Sequence, residues 1–91
     1  MQNKGKKTPT VAERRHIRRV KLLPCSVCDT AGPSDAHEIN QGQWFTCVAL
    51  CTECHTGSLL GWHGGRRAWA IRKMDELAAL NVTIKRLMET A

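Results

Sequence analysis

The chain has 91 residues, of which 42% are hydrophobic and 24% charged, and its formal net charge is +6. This length excludes two independent domains, and one small domain gains so little from its apolar core that a metal or a disulfide is expected to stabilise it. No apolar run approaches the roughly 20 residues that a membrane span needs, so a membrane-spanning protein is not expected.

The N-terminal segment is strongly basic. Eight of the 14 Lys and Arg residues precede Pro24, against one acidic residue, Glu13. Residues 1–9 are predicted to be disordered, and a basic helical appendage is predicted in residues 10–23, with Thr10 and Glu13 forming a capping box. Such a segment suits a polyanion, most commonly nucleic acid, and a solvated, solubilising arm is the alternative. The predicted DNA-contacting residues here are Arg14, Arg15, Arg18, Arg19 and Lys21.

Four of the five cysteines form two Cys-x-x-Cys pairs. The pairs Cys25/Cys28 and Cys51/Cys54 are separated by 22 residues, a spacing typical of four-cysteine zinc sites. An iron–sulfur cluster and disulfides are the alternatives, but the odd number of cysteines argues against complete disulfide pairing. The N-terminus carries no secretory apolar segment, so we expect a cytoplasmic protein with reduced thiols. The fifth thiol, Cys47, is predicted to be a small buried hydrophobe.

The segment between the two cysteine pairs carries strand signals. Residues 35–39 ("DAHEI") and residues 44–50 ("WFTCVAL") are predicted to be the two strands of a hairpin, joined by the turn "NQGQ". The second strand would then deliver Cys51 to the next element. Trp44, at the predicted hairpin tip, is a candidate for DNA contact.

From Arg66 onward the pattern is helical. Apolar residues recur at a helical spacing, which predicts core packing, and a dimer seam is the alternative. Asn81 is predicted to break the helix into two pieces. The stripe consists of Leu77, Leu80, Ile84 and Leu87.

Three of the four histidines lie on the two sides of the second cysteine pair. His37 is on the first predicted strand, His55 follows Cys54 directly, and His63 comes eight residues later. If the cysteines pin the hairpin to the following segment, His37 and His55 lie close together. His16, among the N-terminal arginines, is predicted to be a surface residue.

The pattern "C-x-x-C … AHEI … LC-x-x-CH" resembles the zinc-stabilised HNH (ββα-metal) nucleases. Within them, "CHTGSLLGWHG" is similar to a stretch of the phage recombination-enhancement (Ref-like) nucleases, and the resemblance covers residues 24 to about 67. It implies a small α+β fold with a ββα-metal hairpin–helix core, in a single zinc-stabilised domain of residues 24–91 that includes a C-terminal helix.

The resemblance also implies two metal sites. The structural Zn²⁺ would be held by Cys25, Cys28, Cys51 and Cys54. A second divalent ion (Mg²⁺, Mn²⁺ or Zn²⁺) would lie between hairpin and helix, bound by His37 and by His55, His63 or both, with Glu38 at the position that activates water. The candidate catalytic residues are therefore His37, Glu38, His55 and His63.

Two positions depart from the family pattern. Glu38 stands where a general-base histidine is expected, and a carboxylate with a pKa near about 4.3 is a weaker base at neutral pH. A shifted register would instead make His37 the base and Glu38 structural. The asparagine that orients the base has no clear equivalent, and Thr46 and Asn40 are the residues nearest its expected place.

These implications predict a metal-dependent DNA endonuclease or nickase of HNH type, encoded by a phage or prophage and acting in the bacterial cytoplasm as a monomer or weak dimer. Arg66 and Arg67 would add to its DNA contacts. DNA is the predicted partner, with recombination or phage replication proteins as further candidates. The alternatives are a non-catalytic zinc-binding DNA adaptor with a decayed nuclease site, and a module that binds a partner through the C-terminal helix.

Overall fold

The computed structural model describes residues 8–90, which fold into a small α+β unit, as predicted. This range contains a two-stranded antiparallel sheet and four α-helices, none of them long and apolar enough to cross a membrane. Most of the tail predicted to be disordered, residues 1–9, lies outside this range. The elements are α1 (Val11–Lys21), β1 (Asp35–Glu38), β2 (Cys47–Leu50), α2 (Thr52–Thr56), α3 (Arg67–Arg72) and α4 (Glu76–Glu89).

Helix α1 begins with the predicted capping box. The Glu13 amide donates to Thr10 Oγ1 over 3.1 Å, and the Thr10 amide donates to Glu13 Oε1 over 2.7 Å. The helix packs onto the sheet through Val20, which is fully buried. Val11 is exposed and does not pack against the sheet, although its apolar character predicts that it would. Helix α1 is therefore an integrated layer of the fold with a basic outer surface.

Strand β2 is buried on both faces, which explains its uninterrupted apolar sequence "CVAL". Val48 packs in a core cluster with Trp69, whereas Cys47 packs in a second cluster with Val20. Cross-strand pairing places His37 opposite Val48 and Glu38 opposite Cys47. Because paired residues of a sheet share a face, His37 lies on the Trp69 side and Glu38 on the α1 side.

The second strand is shorter than predicted. Residues Trp44–Thr46 form a 3-10 turn, in which the Thr46 amide and hydroxyl both donate to the Gln43 carbonyl. The connection also uses Gly42 at φ 86°, a left-handed conformation that favours glycine. The prediction of a strand over residues 44–50 was therefore wrong for its first three residues, because the turn consumes them.

The C-terminal helix is interrupted at a different place from the predicted one. Helix α3 ends at Arg72, and the residue that follows, Lys73, adopts a left-handed conformation with φ 54°. Asp75 then caps α4 by accepting from the Ala78 amide. Asn81 lies inside α4, so the prediction of a break there was wrong. An exposed helical asparagine costs only a few tenths of a kcal/mol, and this is not enough to end a packed helix.

Helix α4 packs against the core through a face that includes Leu80 and Leu87 of the predicted stripe but not its other two residues. Leu77 and Ile84 are 70% and 36% exposed, whereas Ala79 and Thr83 are fully buried and Leu87 is 5% exposed. The prediction was thus wrong for Leu77 and Ile84. Small residues face the sheet because they let the helix approach β2 closely, and the Thr83 hydroxyl also accepts from the Ala49 amide.

Candidate metal centres

The two Cys-x-x-Cys pairs converge on one point. Their four sulfur atoms all lie within 4.8 Å of one another, and Cys28 Sγ is 3.6 Å from Cys51 Sγ. A tetrahedral Zn²⁺ with Zn–S distances of about 2.3 Å separates its sulfurs by about 3.8 Å. All five cysteines are free thiols, and Cys47 is buried apart from the cluster, as predicted. The cluster of Cys25, Cys28, Cys51 and Cys54 therefore fits a structural zinc site.

Local backbone structure presents these sulfurs. Cys51 is the N-cap of α2, and its Sγ accepts from the Cys54 amide over 3.4 Å. The first pair is held by a turn in which the Asp29 amide donates to the Cys25 carbonyl over 2.9 Å. Arg86 of α4 donates to the same carbonyl over 3.2 Å and also binds the Asp29 carboxylate. Both pairs are thus fixed by hydrogen bonds within the protein.

Burial and hydrogen bonding shift the pKa values of the clustered thiols in different directions. Burial raises the pKa of Cys54 and of Cys51. Burial acts in the same direction on Cys28, but hydrogen bonds from Thr30 and the neighbouring thiols outweigh it and lower the pKa of Cys28 to about 7. Four thiols so close together cannot all be ionised at neutral pH without a compensating positive charge. A Zn²⁺ ion bound by the four sulfurs would supply that charge.

A second cluster consists of three histidines from three different elements. His37 is on β1, His55 is on α2, and His63 is in the loop that follows α2. One ring nitrogen of each lies within 4.8 Å of the others, and the ring centroids are 5.1 to 5.2 Å apart. His37 is buried and His63 is exposed, so the cluster opens to solvent on the His63 side.

Two carboxylates contact this cluster from outside. Asp35 Oδ2 is 3.0 Å from His55 Nδ1, and Glu76 Oε2 is 2.6 Å from His37 Nε2. Metal-binding histidines commonly pair their second ring nitrogen with a carboxylate in this way. Neither carboxylate was predicted from the sequence to be near the histidines. Asp35 was detectable, because it lies two positions before His37 on the same face of β1, but nothing in the sequence links Glu76 to the cluster.

The loop between α2 and α3 carries His63 to the cluster by folding back onto α2. The Trp62 amide donates to the Cys54 carbonyl over 2.9 Å, and the His63 amide donates to the His55 carbonyl over 3.0 Å. At Gly61 a Cβ atom would lie 2.6 Å from the Gly57 nitrogen. The glycines of this loop are therefore needed for close backbone approach, and none of them uses the left-handed conformations of glycine.

The surroundings of His63 favour the neutral form of its imidazole. Burial lowers its pKa, and the adjacent charges of His55 and His37, when protonated, lower it further. Because a metal ion and a proton compete for the same nitrogen, a lowered pKa favours metal binding at neutral pH.

Three of the predicted site residues are not brought to the histidines. The Glu38 carboxylate accepts from the Gly42 amide over 2.8 Å, inside the hairpin connection and on the opposite face of β1. The Thr46 hydroxyl donates to the Gln43 carbonyl, and the Asn40 amide group donates to the Gln43 side chain. Glu38 does not reach the histidine cluster because adjacent residues of a strand point to opposite faces, and His37 faces the cluster.

The predicted DNA-binding cations fall into two groups. Arg66 and Arg67 are exposed and follow the loop that carries His63, and the Arg66 guanidinium stacks on Trp62 at 3.7 Å from the ring centroid. The residues of α1 lie on the other side of the sheet, where Arg19 donates to the Leu87 carbonyl over 3.0 Å. Trp44 is only partly exposed. The exposed cations of α1 are Arg14, Arg15, Arg18, Arg19 and Lys21.

Comparisons with known proteins give no match, whether against family models, curated proteins or solved structures.

Proposed function

We propose that this chain is a metal-dependent DNA endonuclease or nickase of the HNH (ββα-metal) type. The observation that carries the proposal is the convergence of His37, His55 and His63 on one point, with a carboxylate behind two of them. The order β1, β2, α2 also matches the strand–strand–helix order of the ββα-metal core that the sequence pattern resembles. The four-cysteine cluster would hold the structural Zn²⁺ beneath this core.

The donor set indicates which ion the histidine cluster would take. Three imidazole nitrogens suit zinc and neighbouring transition metals, whereas Mg²⁺ prefers oxygen ligands. The two nearby carboxylates, Asp35 and Glu76, already pair with ring nitrogens of His55 and His37. Three histidines with a fourth position open to solvent are typical of catalytic zinc. We therefore expect Zn²⁺ to be preferred over Mg²⁺ at this site.

The residues around the opening fit a phosphodiester substrate. A divalent ion bound here supplies a Lewis acid for the phosphate oxygens and activates water. Arg66 and Arg67 would bind the DNA backbone beside His63, because a guanidinium pairs well with phosphate oxygens. Stacking on Trp62 and a 2.7 Å hydrogen bond from Arg66 Nε to the Trp62 carbonyl hold the Arg66 side chain in place.

The exposed cations of α1 lie on the other side of the sheet and would contact DNA that flanks the cleaved bond. This positive surface adds affinity that depends on salt but not on base sequence. Glu38 has no catalytic role in this proposal, because its carboxylate is engaged by Gly42.

Cleavage of supercoiled plasmid tests the proposal. The wild type, loaded with Zn²⁺, Mn²⁺ or Mg²⁺, is expected to nick or linearise the plasmid. His63→Ala is expected to lose at least about 100-fold in rate, since one of three metal ligands is removed. His16→Gln is the matched control, a histidine outside the cluster, and Glu38→Gln is expected to cut like the wild type.

Failure of the wild type to cut with any of these ions would overturn the nuclease proposal, and so would equal cleavage by His63→Ala. Loss of cleavage in Glu38→Gln, in a variant that still binds two ions, would restore Glu38 to the site and overturn the assignment of the three histidines alone.

A further inference from the structure

Glu76 is the first residue of α4 and lies at the end of that helix's buried face. Its carboxylate is 2.6 Å from His37 Nε2, and the two side chains are only 22% and 5% exposed. Ala79, Thr83 and Leu87 continue the same face at helical spacing and pack against the sheet. A carboxylate at the end of a face otherwise made of small and apolar residues needs a polar partner, and His37 is that partner.

Helix capping does not explain the position of Glu76. The neighbouring Asp75 is the N-cap, and its side chain accepts from the Ala78 amide over 2.8 Å. Glu76 is therefore free to face the sheet.

The contact determines which nitrogen of His37 is available to a ligand. A neutral imidazole carries one N–H and one lone pair, so a ring that donates through Nε2 presents its lone pair at Nδ1. The pair of Asp35 with His55 Nδ1 has the same consequence and leaves His55 Nε2 available. Both carboxylates thus select ring forms that are ready to bind an ion.

We propose that Glu76 is a positioning residue of the histidine cluster, one that fixes the orientation and the tautomer of His37 and so makes α4 part of the metal centre. This inference rests on the proposed function only in requiring that the three histidines bind a divalent ion. It assigns to the C-terminal helix, outside the hairpin–helix core, a role in metal affinity as well as in packing. Carboxylates behind metal-binding histidines typically change metal affinity by about 10- to 100-fold.

Cobalt binding provides the test. Co²⁺ at four thiolates gives strong sulfur-to-metal charge-transfer absorption, whereas Co²⁺ at imidazoles gives only weaker visible bands, so the two sites can be followed separately in the full chain. Glu76→Leu retains approximately the size of the side chain but removes both the charge and the hydrogen-bond acceptor. We expect it to weaken Co²⁺ binding at the histidine cluster by about 10- to 100-fold while leaving the thiolate bands unchanged.

The matched control is Glu89→Leu, which removes an exposed carboxylate from the last turn of the same helix, where Glu89 pairs with Lys85. It is expected to bind Co²⁺ like the wild type. If Glu76→Leu fails to fold, Glu76→Asp serves instead, because it retains the charge but withdraws the carboxylate by one methylene. A merely structural role for Glu76 would lower the thermal stability and leave the affinity unchanged.

The outcomes separate this inference from the nuclease proposal. Binding of the second Co²⁺ by the folded Glu76 variant within about twofold of the wild type would overturn the inference. Weaker binding in that variant supports it, even if the wild type does not cut DNA. A wild type that binds no ion beyond the one at the thiolates would overturn both.

Discussion

At the scale of single residues, the half-buried His16 has a ring nitrogen without a hydrogen-bond partner in residues 8–90. Its ring lies 5.3 Å from that of Phe45, and Nε2 is buried with no hydrogen-bond partner among the described residues. Burial lowers the pKa of His16 from its ordinary 6.5, and the positive charge of Arg19 lowers it further, whereas a hydrogen bond to the Phe45 backbone acts in the opposite direction. The fold therefore prefers the neutral ring.

This preference predicts a pH dependence of stability. Since the folded pKa lies below the unfolded one, the contribution of His16 is fully present above about pH 6.5 and is lost as the pH falls through the folded pKa. Denaturant unfolding of the wild type and of His16→Gln at about pH 7.5 and about pH 5.5 checks it. The stability of the wild type relative to the variant should decrease at the lower pH.

The comparison with His16→Gln cancels the protonation of the three clustered histidines, which both proteins share. A difference that stays constant with pH would contradict the assignment of the lowered pKa to His16.

The cysteines and histidines of the two clusters were predicted from the sequence. The two carboxylates that contact the histidines were not. Cysteine spacing sufficed for Cys25 and Cys28, because a Cys-x-x-Cys turn brings its own sulfurs together. Spacing could not decide whether His37 or Glu38 faces the histidine cluster. The choice between adjacent residues depends on which face of β1 is turned toward α2. The contact of Glu76 with His37 could not be predicted from the sequence, because it spans 39 positions and forms only after α4 has packed.

At the scale of elements, one hydroxyl joins α4 to the sheet and to the cysteine-bearing turn. Thr83 Oγ1 donates to the Ala79 carbonyl over 3.0 Å, so it must act as acceptor toward the Ala49 amide and the Ser26 hydroxyl, which is 2.7 Å away. All of these groups are buried. The free edge of β2 is thus satisfied by a side chain rather than by another strand.

Replacing this hydroxyl by a methyl group should therefore destabilise the protein. Thr83→Val leaves the Ser26 hydroxyl and the Ala49 amide without an acceptor, and we expect a loss of about 1–3 kcal/mol in the free energy of unfolding, measured by denaturant titration. Thr83→Ser retains the hydroxyl and should lose less. Equal losses in the two variants would show that packing, and not hydrogen bonding, dominates at this position.

The same contact explains why two of the four residues of the predicted helical stripe are exposed. Periodicity alone counts Leu77 and Ile84 as core residues, and it cannot foresee that close approach to β2 favours Ala79 and Thr83. The capping box of α1 was predictable, because both of its partners lie within four residues. Local hydrogen-bond patterns were thus readable from the sequence, whereas the choice of a packing face was not.

At the scale of the whole molecule, the cysteine cluster is part of the larger of the two core clusters. Cys25 and Cys54 are buried there together with Trp69, whose indole nitrogen donates to the Cys54 carbonyl over 2.8 Å. The thiols join the turn before β1 to the start of α2, which also carries His55. A change at the zinc site is therefore transmitted to the hairpin, to α2 and to the histidine cluster.

If the cysteine cluster holds Zn²⁺, its removal is accordingly expected to unfold the domain, whereas removal of an ion from the histidine cluster is not. Structural Zn²⁺ contributes about 10–16 kcal/mol in small zinc domains, which equals or exceeds the total stability of about 5–15 kcal/mol of a typical domain. A chelator strong enough to strip the thiolates should abolish the helical circular dichroism, and Cys51→Ser should do the same.

Two variants serve as controls for this prediction. His63→Ala is expected to retain the fold with one zinc, since His63 is exposed and only the second site loses a ligand. Cys47→Ala removes a buried thiol that lies apart from the four clustered sulfurs, so its loss should leave the zinc content unchanged. A stripped wild type with a cooperative thermal transition would show instead that the two core clusters suffice for folding and that zinc only adds to their stability.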